Sequence, residues 1–346
     1  MIRRLMWVVG VLCVLSPAAA LSQQEAGQTF HRFSFNWEND VFARTDRDYS
    51  NGLKMTWSTG FNAAGEETKN LPGWIYGIAD RLPRIKDPAA HRALSVSLGQ
   101  SIYTPENTKS RHLVEDDRPY AGYSYVGVGF LARKDIRMDV WELEAGLVGA
   151  LSLAEQTQNT VHRLIHSPPA EGWEHQLKNE LGLDVTHETK WRAWTRDFEG
   201  GFGINLIPHV GWRLGSIAIY ANTGGELRFG WKLPADFGTC PIRPGCNIDD
   251  PQDDFTGAGS GHAVFGVQVF LGADGRYVLR DIFLDGNTFV DSHHVSKIPW
   301  VADLMAGIGI QYGRFRASYA YVYRTPEFEE RKQPLLFGAV SLSWSF

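Results

Sequence analysis

Leu336-Phe337-Gly338-Ala339-Val340-Ser341-Leu342-Ser343-Trp344-Ser345-Phe346 alternates along its whole length. Leu336, Gly338, Val340, Leu342, Trp344 and Phe346 fall on one side of an extended chain, and three serines fall on the other. A strand that ends on an aromatic residue is typical of the closing strand of an outer-membrane β-barrel. That reading decides the solvent. One face of each strand meets lipid, and the wall must pair all of its own backbone groups. The expected class is therefore all-β, a transmembrane antiparallel β-barrel of about twelve strands.

Working outward, period-two segments bounded by turn residues recur along the chain. They lie near 29–39, 50–61, 93–103, 121–133, 137–152 and 200–213. Six more follow near 216–231, 262–272, 275–285, 300–312, 314–325 and 336–346. In the second, Leu53, Met55 and Trp57 oppose Lys54, Thr56 and Ser58. In the fifth, Trp141, Leu143, Ala145 and Leu147 oppose Glu142 and Glu144, so the acids are expected in the lumen. Short turns are expected at Arg133-Lys134-Asp135, Leu214-Gly215-Ser216, Ala273-Asp274-Gly275 and Tyr312-Gly313, all on one side. The long connections, 40–49, 104–120, 153–199, 232–261, 286–299 and 326–335, are expected on the other, the usual barrel asymmetry. The connection 62–92 breaks the pattern and carries a helix-like stretch, Trp74 to Arg81. Residues 180–197 also look partly extended.

The first twenty residues read as a secretory signal: Arg3 and Arg4, an apolar stretch from Leu5 to Leu15, then Ser16-Pro17-Ala18-Ala19-Ala20. A spanning helix needs about 20 apolar residues, which this stretch lacks. The domain expectation is a signal over 1–20 and a barrel over 21–346. The whole chain carries a formal charge of −5, and a weakly acidic chain is a poor partner for nucleic acid. Cys240 and Cys246 stand in a turn-rich segment and suit a small disulfide in an oxidising compartment. A metal pair there lacks the further ligands that a zinc site needs.

A passive barrel needs no special chemistry in its loops, yet the polar clusters fall there. Asn36-Trp37-Glu38-Asn39-Asp40 and Asp46 to Gly52 gather acids and amides in one hairpin. That set suits either a hard cation such as calcium or a solvated loop. Asp116-Asp117-Arg118-Pro119-Tyr120-Ala121-Gly122 can brace a loop onto a strand. Ala154 to Ile165 reads as a helix with Glu155, Gln158 and His162 on one face. A histidine there can take a proton from water, with a carboxylate fixing its tautomer, or simply sit at the surface. Phe283 to His294 holds adjacent His293 and His294, whose side chains diverge in regular structure. No Gly-x-Ser-x-Gly, His-Glu-x-x-His or phosphate loop occurs, so a nucleophilic serine is not indicated.

These clusters together resemble the outer-membrane lipid A 3′-O-deacylase family, from about Phe33 to Phe346. The pieces that carry the resemblance are Asn39-Asp40, Asp48-Tyr49-Ser50-Asn51-Gly52, Tyr103-Thr104-Pro105, Asp117 to Gly122, Gln158 with His162, and Leu284 to Thr288. The resemblance implies a twelve-stranded barrel and a calcium-dependent esterase that removes the 3′-linked acyloxyacyl group of lipid A. Its partner is then lipopolysaccharide of the outer leaflet, with no obligate protein partner indicated. By position it implies His162 as general base, Asp40 as calcium ligand, and Asn39 as a group placing the ion or the oxyanion. Ser50 stands where the family is expected to carry Thr and keeps the hydroxyl. An acid following the histidine is implied as its support, with Glu171 the candidate and Glu155 the competitor. Two other readings remain, a passive channel or structural barrel and an outer-membrane phospholipid esterase.

Overall fold

The computed structural model describes residues 31–40, 48–61, 73–239 and 265–346. The expected signal and the Cys240/Cys246 pair lie outside the described residues, as does the side chain of Ser50. The strands are β1 (His31–Asn39), β2 (Asp48–Thr59), β3 (His91–Thr104), β4 (Ala121–Lys134) and β5 (Arg137–Val148). They continue with β6 (Glu180–Trp191), β7 (Trp194–Asp197), β8 (Phe202–Gly215) and β9 (Ala218–Trp231). The last four are β10 (Phe265–Asp281), β11 (Trp300–Tyr312), β12 (Phe315–Arg324) and β13 (Leu335–Ser345). Each pairs antiparallel with its neighbour, β13 closes on β1, and β6 pairs β8 directly to complete the cylinder. The four-residue β7 pairs only with the start of β8, so the closed wall has twelve strands.

The wall is inside-out relative to a water-soluble protein. Leu98, Val126, Leu271 and Ile308 are each at least half exposed, while Lys54, Glu142, Glu144 and Arg228 are buried. Alternation delivers this directly, because successive side chains take opposite faces. β10 shows it best: Phe265, Val267, Val269 and Leu271 point out, and Gln268, Phe270 and Asp274 point in. No described helix is long and apolar enough to cross a membrane, so strands are what cross it. Aromatic pairs ring the end that carries both termini: Trp344 with Phe346, Phe202 with Phe229, and Trp231 with Phe265. Such a girdle marks a membrane–water interface.

Charges in the lumen are paired across it. Lys54 Nζ donates to Glu142 Oε1 at 2.7 Å, Arg213 to Glu144 at 2.6 Å, and Arg324 to Asp303 at 2.8 Å. Near the terminal rim, Asp236 pairs with Arg228 and Arg316, folding residues 233–239 into the barrel mouth. Phe237 joins Phe61, Ala93, Leu131, Met138 and Val140 in a buried apolar cluster beside it.

The count of twelve holds, but two of its parts do not. Residues 262–272 and 275–285 are one strand, for the ladder runs unbroken through Ala273, Asp274 and Gly275 into both β9 and β11. Residues 180–191 form a full strand that the sequence pattern marked only as partly extended. Both shifts move the later loops. The tight link at Ser216–Ile217 now lies on the rim opposite the termini, and β9 ends and β10 begins on the terminal rim. Of the expected short turns, those at 133–135 and 312–313 lie together on the terminal rim, the side where 62–92 was expected to be long, and that at 214–216 lies on the other rim. The helix expected within 62–92 is present as α1 (Gly73–Ala79), and the loop helix is α2 (Ala154–Ile165).

Candidate active site outside the barrel wall

The site forms where the long connection 149–179 folds over the outside of β3 and β4 at the rim opposite the termini. Register fixes the side. Leu98, Gln100 and Ile102 share the outward face of β3, and Gly122, Ser124 and Val126 that of β4. The main-chain oxygen of Ser152 accepts from Gln100 Nε2 at 2.8 Å and from Ser124 Oγ at 2.7 Å, tying the loop to that outer face. A Cβ on Gly122 would collide with the Cβ of Ala154 and the hydroxyl of Ser152. Glycine here lets the helix meet the strand backbone.

Along α2, Ala154, Gln158 and His162 recur every four residues and are all buried, the stripe expected of a helix pressed on a wall. Ala154 packs with Ile102, Tyr120, Ala170 and Trp173. Gln158 Oε1 accepts from Trp173 Nε1 at 3.0 Å, and the Trp173 and Tyr120 rings lie 5.0 Å apart. Tyr120 Oη donates to the Thr108 carbonyl at 3.2 Å, and burial of the phenol raises its pKa to about 12.

The helix ends at His166 in a left-handed turn, φ 62°. Ser167 N donates to the His162 carbonyl at 2.8 Å, and the reversal sets the Pro168 carbonyl 2.6 Å from His162 Nδ1. A carbonyl only accepts, so Nδ1 carries the proton, and in the neutral ring Nε2 keeps its lone pair. That is the tautomer of a general base acting through Nε2. The sequence suggested a carboxylate from Glu171 or Glu155 for this task; the backbone performs it. Glu171 instead accepts from Arg111 Nε at 2.8 Å on the exposed flank, and that hydrogen bond and charge lower its pKa. Glu155 lies in the first turn of α2, two turns from His162.

Asn39 and Asp40 end β1 at the same rim. Asn39 lies beyond Phe33, Phe35 and Trp37 on the outward parity of β1, opposite the inward Ser34, Asn36 and Glu38. Asn51 Oδ1 accepts from Trp37 Nε1 at 2.6 Å and from Asn39 Nδ2 at 3.4 Å, turning the Asn39 carbonyl oxygen away from Asn51. Asp40 is 1% exposed. The pairing of β2 with β3 slips between Tyr49 and Asn51, so Ser50 is the bulged residue that re-aims this strand end. Across the ladder Asn51 opposes Ile102, and Ile102 opposes Gly122, the seat of α2. Asn39 and the α2 stripe thus share one rim level and one outer face of the wall. Among the described residues no three His, Cys, Asp or Glu side chains gather as a metal site. The oxygen donors here are one buried carboxylate and an amide, chemistry that fits a hard cation rather than zinc.

The other quoted motifs serve the scaffold. Asp117 accepts from Glu106 N at 2.7 Å and Arg118 N at 2.7 Å, and burial raises its pKa. Arg118, 1% exposed, donates to Glu327 at 2.8 Å. Asn287 brackets Lys178, donating to its carbonyl at 2.9 Å and accepting from its amide at 2.8 Å. His293 Nε2 donates to the Asp117 carbonyl at 2.7 Å. Pro168 and Trp173 escaped the sequence reading. A backbone carbonyl has no sequence signature, and Trp173 showed only as one aromatic among polar neighbours.

A closed barrel with an apolar outer face and a polar cluster held against that face at one rim is an integral β-barrel membrane protein with a lipid-side site. The model of the family described as outer membrane protein LpxR matches residues 5–346, and the chain belongs to that family, in the bacterial outer membrane. Among solved structures it is similar to LpxR from Salmonella typhimurium, with 17% identity, a TM-score of 0.71, and coverage of 90% of this chain and 99% of that one. That likeness shows the fold. The β domain of the Bordetella autotransporter BrkA aligns at 11% identity with a TM-score of 0.43, covering 93% of this chain and 100% of that one. No curated protein sequence matches.

Proposed function

We propose that this protein is an outer-membrane esterase that hydrolyses the 3′-linked acyloxyacyl ester of lipid A in the outer leaflet. The observation that carries the reading is the His162 imidazole, its Nδ1 held 2.6 Å from the Pro168 carbonyl so that the neutral ring offers Nε2 as base, on the lipid side of the wall. A lumenal pore would have no use for a base there, and the lumen is crossed by ion pairs.

In this mechanism the acyl chain stays in the leaflet and its ester reaches the rim beside α2. Leu151, Leu153 and Leu164 expose apolar side chains on this loop, an edge suited to the leaflet boundary. His162 Nε2 takes a proton from water as the oxygen attacks the ester carbonyl. The resulting imidazolium returns the proton to the departing 3′-alkoxide, which leaves as the sugar hydroxyl while the acyl group leaves as a carboxylic acid. The Asn39 amide, oriented by Asn51, serves the developing oxyanion or the ion site. Asp40, with amide and main-chain oxygens, is the residue that would hold calcium, which supplies positive charge at the ester carbonyl when bound.

The test is mass spectrometry of lipid A from cells making the protein or its His162→Ala variant. A mass loss equal to the 3′-acyloxyacyl group, absent in the variant, is expected. Unchanged lipid A with a folded barrel in the membrane would reject this substrate and direct attention to phospholipid esters.

A further inference from the structure

On the terminal rim, residues 73–90, ahead of β3, lie against the barrel's outside. Ile75, Ile78 and Ala79 of α1, with Leu82, Ile85 and Ala90, pack on Leu94 of β3, Val128, Phe130 and Ala132 of β4, and Trp141 and Leu143 of β5. Leu94 shares the outward parity of Val96 and Leu98, both exposed to lipid farther along the strand. Trp141 Nε1 donates to the Pro83 carbonyl at 3.1 Å, pinning the segment to the wall. An amphipathic stretch on a lipid-facing wall, level with the aromatic girdle, is an interfacial element.

Its outer side is basic. Arg81, Arg84 and Lys86 are exposed. Of the nearby acids, Asp80 accepts from Arg92 at 3.1 Å, Asp87 accepts from Lys134 at 2.8 Å and lies close enough to Arg84 to feel its charge, and Asp135 is exposed on the adjoining turn. That leaves an excess of cations on an acidic protein. Beside them, on the outward face of β5 and β6, Arg137 donates to Asp139 at 2.6 Å and Thr189 donates to the same oxygen at 2.8 Å. His187 lies between Trp141 and Trp212, with ring centroids 4.5 and 6.0 Å away. Arg137 Nε is buried without a hydrogen-bond partner, whereas His187 Nε2 faces Asp139 Oδ1 at 3.5 Å. Exposed cations, the unmatched Arg137 Nε–H and tryptophans at one membrane level match the phosphate of a lipid whose chains lie on the wall above.

We propose that residues 73–92, with Arg137, form a headgroup site for an anionic glycerophospholipid of the leaflet at the terminal rim. This site is separate from the esterase site, at the opposite end of the barrel, and stands whether or not that reading holds.

The test is native mass spectrometry of the full-length barrel titrated in detergent with phosphatidylglycerol or phosphatidylcholine of equal chain length. Each cation beside an anionic headgroup layer contributes about fivefold. The wild-type protein should therefore retain phosphatidylglycerol at least about fivefold better, the worth of a single cation, with the preference shrinking as salt rises. The Arg81→Gln/Arg84→Gln/Lys86→Gln variant should lose it while keeping heat-modifiable gel mobility. Equal retention of the two lipids by the wild type, or an undiminished preference in the triple variant, would overturn the site. If the triple variant does not fold, Arg84→Gln alone and the salt titration decide by the same criteria.

Discussion

His162 Nδ1 lies 2.6 Å from the main-chain oxygen of Pro168, six residues farther along the chain. A helix end, a left-handed turn at His166 and a proline thus replace the carboxylate that commonly orients a catalytic imidazole. The arrangement predicts that the neutral form of the His162 ring carries its proton on Nδ1. Nitrogen-15 NMR of labelled protein at alkaline pH should show the Nδ1–H tautomer for this ring. An Nε2–H signal would leave the base without its lone pair toward substrate and sink the assigned role. Replacing the imidazole should cost about 10²–10⁴-fold in deacylation, the usual worth of a general base.

If the backbone orients His162, the acids near it are dispensable for that task. Glu171→Gln should keep lipid A deacylation within about twofold of the wild type, since it breaks only an exposed pair with Arg111. A loss approaching that of His162→Ala would show that Glu171 reaches the imidazole when substrate is bound.

Gly122 offers a test of where the site sits. A valine there drives its side chain into Ala154 and Ser152, at a cost of about 1–3 kcal/mol if the loop stays. The loop should lift instead. Gly122→Val is expected to keep a heat-modifiable barrel, to lose at least about tenfold in activity, and to expose residues 149–175 to protease. Full activity with an undisturbed loop would mean that α2 need not seat on β4.

The fold was largely legible because lipid outside and ion pairs inside impose one alternation on every strand. Its errors came from residues where the lumen changes the rules. Ala273-Asp274-Gly275 reads as a turn in water, yet inside the barrel Asp274 is a wall residue accepting from His209 at 2.8 Å and Asn222 at 3.0 Å. β6 was obscured for the opposite reason. Its outward row, Leu181, Leu183 and Val185, stops being apolar at His187 and Thr189, where the interface begins. One strand was split and another missed, so the total survived. For the site, the helix face of Gln158 and His162 was readable from spacing. That this face seats outside the wall depends on Gly122, a single missing Cβ whose meaning appears only once the helix is beside it.

In the proposed mechanism Asp40, buried just beyond β1, is the residue that would hold calcium. Chelation should abolish acyl release and added calcium restore it, while Asp40→Asn should need far more calcium for the same rate. Isothermal titration with calcium gives a readout independent of turnover. Undiminished activity in excess chelator would remove the ion from the proposal and leave Asn39 as the oxyanion donor.

Arg118 and Glu327 join the loop ahead of β4 to the loop ahead of β13, at 2.8 Å and with little solvent. Burial pushes the Glu327 carboxyl up, but Arg118 and Arg324 more than offset it, and the group ends below its ordinary 4.5. A carboxylate with a depressed folded-state pKa binds more protons when unfolded. Its stabilising contribution is therefore complete above about pH 4.5 and falls away as pH drops through the lower folded value. Glu327→Gln leaves Arg118 buried without its counter-charge, and breaking such a pair costs about 3–5 kcal/mol. In detergent, the variant should melt at a lower temperature at pH 7, and the gap between wild type and variant should narrow as pH falls below 4. A gap that stays constant from pH 7 to pH 3 would mean that the carboxylate's charge does not hold the two loops together.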